Sequence, residues 1–273
     1  MTVKIKGLNY FYKEVGSGET VILIHGNPDS ADSWDDLIPL LSQHYRCIAP
    51  DLPGFGRSDI ASDFDFTLEG CQNWLASFLE AIDITEAIHL VVHDVGTFYG
   101  LTWAVRNPDK VKSLCITNTL FFSDYKWHFW GRVWRTPIIG ELSQFLMNKK
   151  LYKNGLRKSS PKLSDAYLEK GYALISPKMQ KTVLKLYRAM NPAVFKNWED
   201  KYLALTKSKP VIVIWGDNDP YIPLSFGYAE RMANGQTVHR LADAGHWVAA
   251  EEPELFAKYW LDFTSNIALS AKP

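Results

Sequence analysis

Strand-like and helix-like segments alternate along the first half of this 273-residue chain, and this alternation constrains the fold more than any other feature. Runs rich in β-branched residues predict buried strands, and segments with apolar residues at helical spacing predict helices between them. The predicted strands cover residues 21–25, 45–51, 87–93 and 111–118, and the predicted helices cover residues 31–41, 68–82 and 100–107. We expect Thr67 to cap the second helix and Pro108 to stop the third. Such alternation is typical of a parallel sheet covered on both faces.

The alternation is interrupted once. From about Phe122 to about Lys207 no segment has a convincing strand pattern, and a lysine-rich stretch lies within this part; strand signals return at residues 210–216 and 236–242. Helices are expected near residues 224–233 and from Pro253 onward. The sequence therefore predicts an α/β fold, a mostly parallel sheet flanked by helices with an inserted helical cap.

We assign the chain to one core domain in two halves, separated by the cap: residues 1–122, the cap at 123–207, and residues 208–273. Ligands of open α/β sheets bind beyond the carboxyl ends of the strands. The cap is therefore expected to cover that edge.

Charge and cysteine content limit the partners of the chain. Lysine plus arginine and aspartate plus glutamate each total 30, and this balance predicts neither a nucleic-acid partner nor a membrane partner.

The three cysteines, Cys47, Cys71 and Cys115, are scattered and suggest reduced core thiols of a cytoplasmic protein without a metal site. No export segment or long apolar run is recognisable. We expect a monomer or homodimer that needs no cofactor, and the ten tryptophans fit either an aromatic-lined pocket or a large core.

Asp94 follows a predicted strand in the segment VVHDVG, where many hydrolases place a nucleophile on a sharp turn before a helix. Such a turn needs a small residue two positions later, and Gly96 provides it. An aspartate before a helix is also a favoured N-cap, so this segment alone leaves both interpretations open.

Two further strand ends supply partners for Asp94. His246 lies after the last predicted strand and before the last helix, where this kind of fold places a general base. Asp219 follows the strand at residues 210–216, and the nearby Asp217 competes for the same role. The order nucleophile, acid, histidine is the order found in hydrolases of this fold.

Four segments carry a resemblance to a known family: HGNPDSADSW at 25–34, DLPGFGRSD at 51–59, HLVVHDVGTFYGLTWAVRNP at 89–108 and ADAGHWVAAEEPE at 242–254. They resemble the α/β-hydrolase superfamily, and specifically its haloalkane dehalogenase branch. Val92 and Asn27 favour that branch over the related epoxide hydrolases, which usually have glycine two residues before the nucleophile.

The resemblance implies Asp94 as nucleophile, His246 as base and Asp219 as the acid that orients the base. It also implies an oxyanion hole made by the backbone N–H groups of Asn27 and Val95. The GFGRSD segment and His25 are expected to stabilise loops.

An aspartate nucleophile limits the reactions that the site can catalyse. A carboxylate is already ionised at neutral pH, and its attack on a saturated carbon that carries a leaving group gives a stable alkyl ester. Histidine is then needed to activate water for hydrolysis of that ester. Attack on an ordinary ester or amide would give an anhydride without gain, so esterase chemistry is disfavoured.

The leaving group is the least determined part of the site. A halide requires N–H donors, and the Asn27 amide is one, whereas an epoxide oxygen requires a phenolic O–H. Haloalkane dehalogenases commonly have tryptophan after the nucleophile, and Val95 replaces it here. We expect Trp127 and Trp130 of the cap to supply the missing donor, although tryptophans at helical spacing are more often core residues. The cap also contains five tyrosines that are suited to an epoxide, namely Tyr125, Tyr152, Tyr167, Tyr172 and Tyr187.

The leading hypothesis is a cofactor-independent haloalkane dehalogenase that acts on a small apolar substrate and water. Epoxide hydrolysis is the alternative within enzymes, and a ligand-binding or sensing protein without turnover is the alternative outside them. A fluoroacetate-type dehalogenase is disfavoured, since the resemblance would then require arginine at the position of Val95. Asn118, which ends a predicted strand, is a further residue that we expect to face the pocket.

Overall fold

The computed structural model describes residues 1–270 as one eight-stranded sheet with helices on both faces and a helical layer over one edge. The strands are β1 (Thr2–Ile5), β2 (Leu8–Val15), β3 (Glu19–Ile24), β4 (Tyr45–Pro50), β5 (Ile88–His93), β6 (Val111–Thr117), β7 (Val211–Gly216) and β8 (Thr237–Leu241). Their order across the sheet is β1-β2-β4-β3-β5-β6-β7-β8. β1 and β2 pair antiparallel with each other, β2 pairs antiparallel with β4, and all other neighbouring strands are parallel.

The α-helices follow the predicted alternation in the core and fill the interval between β6 and β7. They are α1 (Ile38–Leu41), α2 (Leu68–Ala81), α3 (Gly96–Arg106), α4 (Phe129–Arg135), α5 (Ile139–Phe145), α6 (Lys149–Ser159), α7 (Asp165–Ala173), α8 (Pro177–Ala189), α9 (Lys196–Ser208), α10 (Tyr228–Ala233), α11 (Val248–Glu251) and α12 (Pro253–Ser270). Helices α4 to α9 occupy the segment predicted to be the cap, and the structure has no strand between residues 122 and 207.

The central strands confirm the predicted parallel sheet. Every residue of β5 and β7 is buried, as expected for strands that are covered on both faces. Side chains alternate between the two faces: Ile22 and Ile24 pack into one apolar core, and Val21 and Leu23 pack into the other. The register that pairs Ile24 with Val92 brings the ends of β3 and β5 side by side.

Three details differ from the sequence-based expectations. The segment 31–41 forms a 3-10 turn, Ala31–Trp34, and the separate helix α1, because Pro39 has no N–H and starts a new helix instead of continuing one. Helix α3 begins at Gly96, earlier than predicted. Strands β1 and β2 were not predicted at all.

Other expectations hold. Thr67 caps α2, since its hydroxyl accepts a hydrogen bond of 3.1 Å from the Gly70 N–H. The cysteines Cys47, Cys71 and Cys115 are free and buried, and burial raises the pKa of the Cys47 thiol to about 12. In the described part of the chain, no helix combines the length and the apolar character needed to cross a membrane.

Candidate active site

Asp94 lies on a tight turn between β5 and α3, with a backbone φ of +48° in the left-handed region. Two glycines make room for this turn. A Cβ on Gly26 would come within 2.4 Å of the Asp94 Cβ, and a Cβ on Gly96 would come within 2.6 Å of the His25 carbonyl oxygen. The turn thus raises Asp94 above the carboxyl end of the sheet in a strained conformation.

Asp94 is not the cap of α3. The N-cap position is Val95, and no side chain caps this helix. The Asp94 carboxylate instead accepts a hydrogen bond of 3.2 Å from the Asn27 N–H, and its Oδ2 lies 3.5 Å from Nε2 of His246. The structure therefore does not support the capping interpretation of the VVHDVG segment, and it places the Asp94 carboxylate beside His246.

His246 lies between Asp94 and Asp219. It follows β8 and precedes α11, and its Nδ1–H donates a hydrogen bond of 2.7 Å to Asp219 Oδ2. All three side chains are buried. Asp217, the competing carboxylate, instead forms a surface ion pair of 2.9 Å with Arg240.

Asp219 is held by a complete set of hydrogen bonds. Its Oδ1 accepts from the backbone N–H groups of Tyr221 and Ile222, at 2.7 and 3.1 Å. Its Oδ2 accepts from the Asn118 side-chain amide at 2.8 Å, in addition to the bond from His246. A carboxylate with four donors has one orientation, and it fixes the imidazole ring that it contacts.

Asn118 does not face the cavity, contrary to the expectation from its place at the end of β6. Its amide donates to the Gly216 carbonyl oxygen at 3.0 Å as well as to Asp219, and its Oδ1 accepts from the Gly216 N–H at 2.9 Å. Asn118 thereby ties the end of β6 to the end of β7 and orients Asp219.

Electrostatic coupling makes Asp94 and His246 an ion pair. Burial favours the neutral form of each group, but the charges of Asp219 and Asp94 and their hydrogen bonds raise the pKa of His246 to about 10. Burial would also raise the pKa of Asp94, yet the hydrogen bond and charge of His246 keep it below the ordinary value of 3.8. The unreacted site therefore holds a carboxylate beside an imidazolium.

His93, the residue before Asp94, contacts the backbone of His246 and helps to position it. Its Nε2–H donates a hydrogen bond of 2.9 Å to the His246 carbonyl oxygen, and the two ring centroids are 4.7 Å apart. Burial, reinforced by the charge of His246, lowers the pKa of His93 to about 3, so this second imidazole is neutral. This role of His93 could not be predicted from the sequence, because a buried strand residue gives no signal of its contacts.

His25 and the GFGRSD segment stabilise loops around the site. The His25 Nε2 accepts a hydrogen bond of 3.0 Å from the Leu52 N–H, and its Nδ1–H donates to the Gly26 carbonyl oxygen at 2.7 Å. The Arg57 guanidinium donates to the buried Asp51 carboxylate at 2.8 Å. These contacts tie the loops after β3 and β4 together.

Asp94 and His246 open into a cavity between the sheet edge and the cap. Most of the remaining lining is aromatic, and it includes Tyr125, Trp127, His128, Trp134, Tyr187 and Tyr221. His128 is a neutral imidazole, because burial lowers its pKa to about 4. Its Nδ1 accepts from the Gly131 N–H, so its proton is on Nε2.

Trp127 and Trp134 are the tryptophans of the cap that line this cavity, beside Trp247 of the core, whose indole donates to Asp29. Among the described residues, the Nε1 atom of each of the two cap tryptophans is buried without a hydrogen-bond partner. Both rings pack against Tyr187, at centroid distances of 4.9 and 4.8 Å, and the Asn27 amide donates to the Tyr187 hydroxyl at 3.4 Å. Trp130 is a correction to the expected set, since its side chain is 41% exposed and is not among the residues that line the cavity.

The tyrosines of the cap divide into two groups. Tyr125 and Tyr187 line the cavity, whereas Tyr152, Tyr167 and Tyr172 do not. The Tyr125 hydroxyl donates its proton to the Tyr221 carbonyl oxygen at 3.1 Å, so it is not free to donate to a ligand. Tyr187 contacts Asn27, whose backbone N–H is predicted to form part of the oxyanion hole: the Tyr187 hydroxyl accepts a hydrogen bond from the Asn27 side-chain amide.

Comparison with known proteins identifies the family of the chain. The family model for the α/β hydrolase fold matches residues 19–253. The chain is similar to a cis-3-alkyl-4-alkyloxetan-2-one decarboxylase of Shewanella oneidensis, at 28% identity over 98% of this chain and 89% of that protein. It is similar to a haloalkane dehalogenase of Psychrobacter cryohalolentis, at 28% identity over 94% and 86% of the two chains.

A solved structure of a putative ancestral haloalkane dehalogenase superposes with a TM-score of 0.82, at 26% identity over 98% of this chain and 99% of that one. The sheet, the helices on both faces and the family match agree with the fold that the sequence predicted. The chain therefore belongs to the α/β-hydrolase fold family, as an enzyme of its haloalkane dehalogenase-like branch.

Proposed function

We propose that this enzyme hydrolyses carbon–halogen bonds through a covalent ester on Asp94. In the first step a carboxylate oxygen of Asp94 attacks the carbon that carries the halogen. A carbon–oxygen bond forms as the carbon–halogen bond breaks, and the bonding electrons leave with the halide. The lowered pKa of Asp94, which His246 maintains against burial, keeps this nucleophile ionised.

The observation that carries the proposal is that Trp127 and Trp134 line the cavity that holds Asp94 and that, among the described residues, their indole N–H groups are buried without a hydrogen-bond partner. A buried donor without a partner costs free energy, so a pair of them in one cavity suits an anion that arrives during the reaction. An indole N–H donates to a halide without losing its proton. These two groups would replace the donor that Val95 lacks.

In the second step His246 activates water. Conversion of Asp94 to an ester removes the negative charge that helps to raise the pKa of His246, so the imidazole becomes able to release and then accept a proton. Water attacks the Asp94 carboxyl carbon as His246 takes its proton. The bond between the Asp94 carboxyl carbon and the ester oxygen breaks, so the alcohol leaves with that oxygen and one of the two water protons. The other proton stays on His246, and the Asp94 carboxylate is regenerated with an oxygen from water.

The backbone N–H groups of Asn27 and Val95 are the proposed oxyanion hole for this second step. The Asn27 N–H already contacts the Asp94 carboxylate at 3.2 Å. Stabilisation of a developing oxyanion by one such donor typically contributes about 3 kcal/mol. Asp219, with its four donors, would keep the imidazole oriented throughout.

Epoxide hydrolysis is the second candidate, and the Tyr187 hydroxyl beside Asn27 is the observation that favours it. The electrostatics oppose this candidate, because burial and the charge of Asp94 raise the pKa of Tyr187 well above 10.0. A phenol with a raised pKa is a poor proton donor to an epoxide oxygen. The alternative of a binding protein without turnover does not explain why the ion pair and its orienting carboxylate are assembled.

The experiment is to trap the ester. His246→Gln should form the Asp94 ester but fail to hydrolyse it, so intact-mass measurement should find a substrate-sized adduct after incubation with bromoalkanes. Parallel incubations with epoxides and with a β-lactone of the kind named in the decarboxylase relatives identify the reactive class. An adduct from epoxides alone would replace the dehalogenase proposal. No adduct, together with no halide or diol released by the unmodified enzyme, would support the binding protein.

A further inference from the structure

The outer side of the cap has an apolar surface that the active site does not use. In α5 the apolar residues Ile139, Leu142 and Phe145 are 52%, 53% and 83% exposed, whereas the buried positions are Gly140 and Gln144. A helix on the surface of a globular protein normally buries its apolar face and exposes its polar one. Helix α5 has the reverse arrangement.

Neighbouring residues extend this surface in both directions. Phe129 and Trp130 of α4 are 62% and 41% exposed, Ile138 is 80% exposed, and Leu146 is 57% exposed. We call the exposed apolar side chains at positions 129–130 and 138–146 the cap patch. Contiguous exposed apolar surface of this kind marks a site of contact with another molecule or with a membrane.

The segment that carries the cap patch is rich in positive charge. Residues 126–158 contain eight lysine and arginine residues and one acidic residue, Glu141. Three of these cations are paired with carboxylates of α7, Lys149 and Lys153 with Glu169 and Arg157 with Asp165. Arg132 and Lys150 are exposed and form no ion pair within residues 1–270. The balanced charge of the whole chain therefore conceals a segment of the cap that contains exposed cations without an ion pair among the described residues.

We propose that the cap patch docks on an anionic lipid surface. Apolar side chains such as Phe145 would enter the boundary between headgroups and acyl chains, and exposed cations of the same segment, such as Arg132 and Lys150, would attract the anionic headgroups. A second copy of the chain is a poorer occupant, because a twofold contact would place the same basic side chains opposite one another. This proposal revises the expectation, drawn from composition, that the protein has no membrane partner.

Helix α4 connects the cap patch to the cavity. The exposed Trp130 stacks on Trp134, at 6.2 Å between centroids and 26° between planes, and Trp134 lines the cavity that holds Asp94. The Phe129 ring lies 5.3 Å from Trp130 on the outer side. If the proposed function holds, a docked enzyme can take lipophilic halogenated substrates from the bilayer. Docking itself does not depend on that function.

Sedimentation with vesicles tests the proposal on the full chain. We expect the protein to sediment with vesicles of phosphatidylcholine and phosphatidylglycerol, but not with phosphatidylcholine alone, and to be released by salt. Phe145→Ser should weaken binding at least tenfold. Lys150→Gln should weaken it about fivefold, the effect typical of one basic residue near an anionic surface.

Leu269→Ser is the matched control, since Leu269 is 64% exposed but lies on the core helix α12, and it should leave binding unchanged. All three substituted side chains are exposed, and an unchanged Tm will show that the variants fold. Absent binding to anionic vesicles, equal binding to both vesicle types, or binding that Phe145→Ser leaves intact would overturn the proposal. A dimer that Phe145→Ser dissociates, without vesicle binding, would identify a self-association surface instead. No readout uses catalysis, so failure of the dehalogenase proposal leaves this test intact.

Discussion

Val95 is the residue at which the chain departs from the dehalogenase pattern, and its surroundings explain what it does instead of donating a hydrogen bond. Its side chain is buried in the larger apolar core, beside the turn that carries Asp94. A tryptophan there would add an N–H donor close to Asp94. Among the described residues, the tryptophans that line the cavity and have an unpartnered indole N–H are Trp127 and Trp134, and both come from the cap. The halide site would therefore form only when cap and core are packed together.

Removing an indole donor tests this assignment. Trp127→Phe and Trp134→Phe should each lower kcat/KM for haloalkanes by about 10- to 100-fold, because a hydrogen bond to a charged group contributes about 1.5–3 kcal/mol. The loss should be larger for chloride than for iodide, since chloride is the poorer leaving group. Steady-state halide release measures both effects.

Trp260→Phe is the control for loss of a buried indole. The Trp260 Nε1 is also buried without a partner, but the ring packs in the core beneath the sheet, against Tyr45. This variant should lose stability without a selective effect on the halide series. If neither cavity variant reduces kcat/KM more than the control does, the cap tryptophans are not the halide donors.

The residues that could be predicted from the sequence are those that follow strands. Asp94, Asp219 and His246 stand at strand ends, and parallel strands bring such positions to one edge. Trp134 and His93 could not be assigned in the same way. The contacts of Trp134 depend on how α4 packs over the sheet, and His93 acts through a backbone oxygen 153 residues away in the chain.

At the scale of elements, one buried carboxylate joins the core to the cap. Asp29, in the loop after β3, accepts hydrogen bonds of 2.8 Å from the Tyr167 hydroxyl of α7 and from the Trp247 indole next to His246. Burial raises the pKa of Asp29 from 3.8 to about 7, although these donors oppose the shift. The folded protein thus binds a proton at this position more tightly than the unfolded chain does.

Asp29→Asn should therefore change how stability depends on pH. The pKa of Asp29 is higher in the folded protein than in the unfolded chain, so ionisation of Asp29 favours unfolding. The free energy of unfolding should therefore fall as pH rises from about 4 to about 7, by up to roughly 4 kcal/mol. Asparagine keeps an oxygen acceptor without the charge, so the variant should gain free energy of unfolding relative to the native protein at pH 8 but not at pH 4. Urea unfolding at both pH values measures the difference. An equal effect of the substitution at both values would contradict the assigned pKa.

The predicted elements differ from the observed ones where local pattern and tertiary packing compete. Helix α2 has an apolar face and a capping threonine, and its predicted and observed bounds nearly coincide. The segment at 31–41 has the same helical spacing, but Pro39 divides it. Strands β1 and β2 are partly exposed edge elements with mixed composition, and such strands lack the strong apolar signal of β5 and β7.

At the scale of the whole molecule, the active-site charges contribute to folding. The pKa of His246 is raised from 6.5 to about 10, so its protonated form stabilises the fold, fully below about pH 6.5, and this contribution is lost as pH rises through about 10. The pKa values of Asp94 and Asp219 are lowered, so their contributions are present above about pH 4 and are lost under acid conditions.

His246→Gln should therefore be less stable than the native protein near pH 7, and the difference should narrow as the pH approaches 10. Urea unfolding across this range measures it. A difference that stays constant from pH 7 to pH 10 would show that the folded state does not hold a proton on His246.

The overall architecture was predictable because alternating strands and helices admit few arrangements. The position of each helix within the cap was not, since helices without an intervening strand pack by side-chain shape alone. The cap patch shows the same limit: α5 has an ordinary amphipathic sequence, and only the structure shows that its apolar face is turned outward. The boundaries of the cap at 123 and 207 stay a prediction.

The central claim is that Asp94 forms a covalent bond to the substrate, and a single turnover in ¹⁸O-labelled water tests it most directly. With enzyme in excess over a bromoalkane, the oxygen of the alcohol should come from the Asp94 carboxylate and carry no label. The label should appear in the peptide that contains Asp94, where mass spectrometry can locate it. Labelled alcohol together with an unlabelled peptide would mean that water attacks the substrate directly, and would contradict the account.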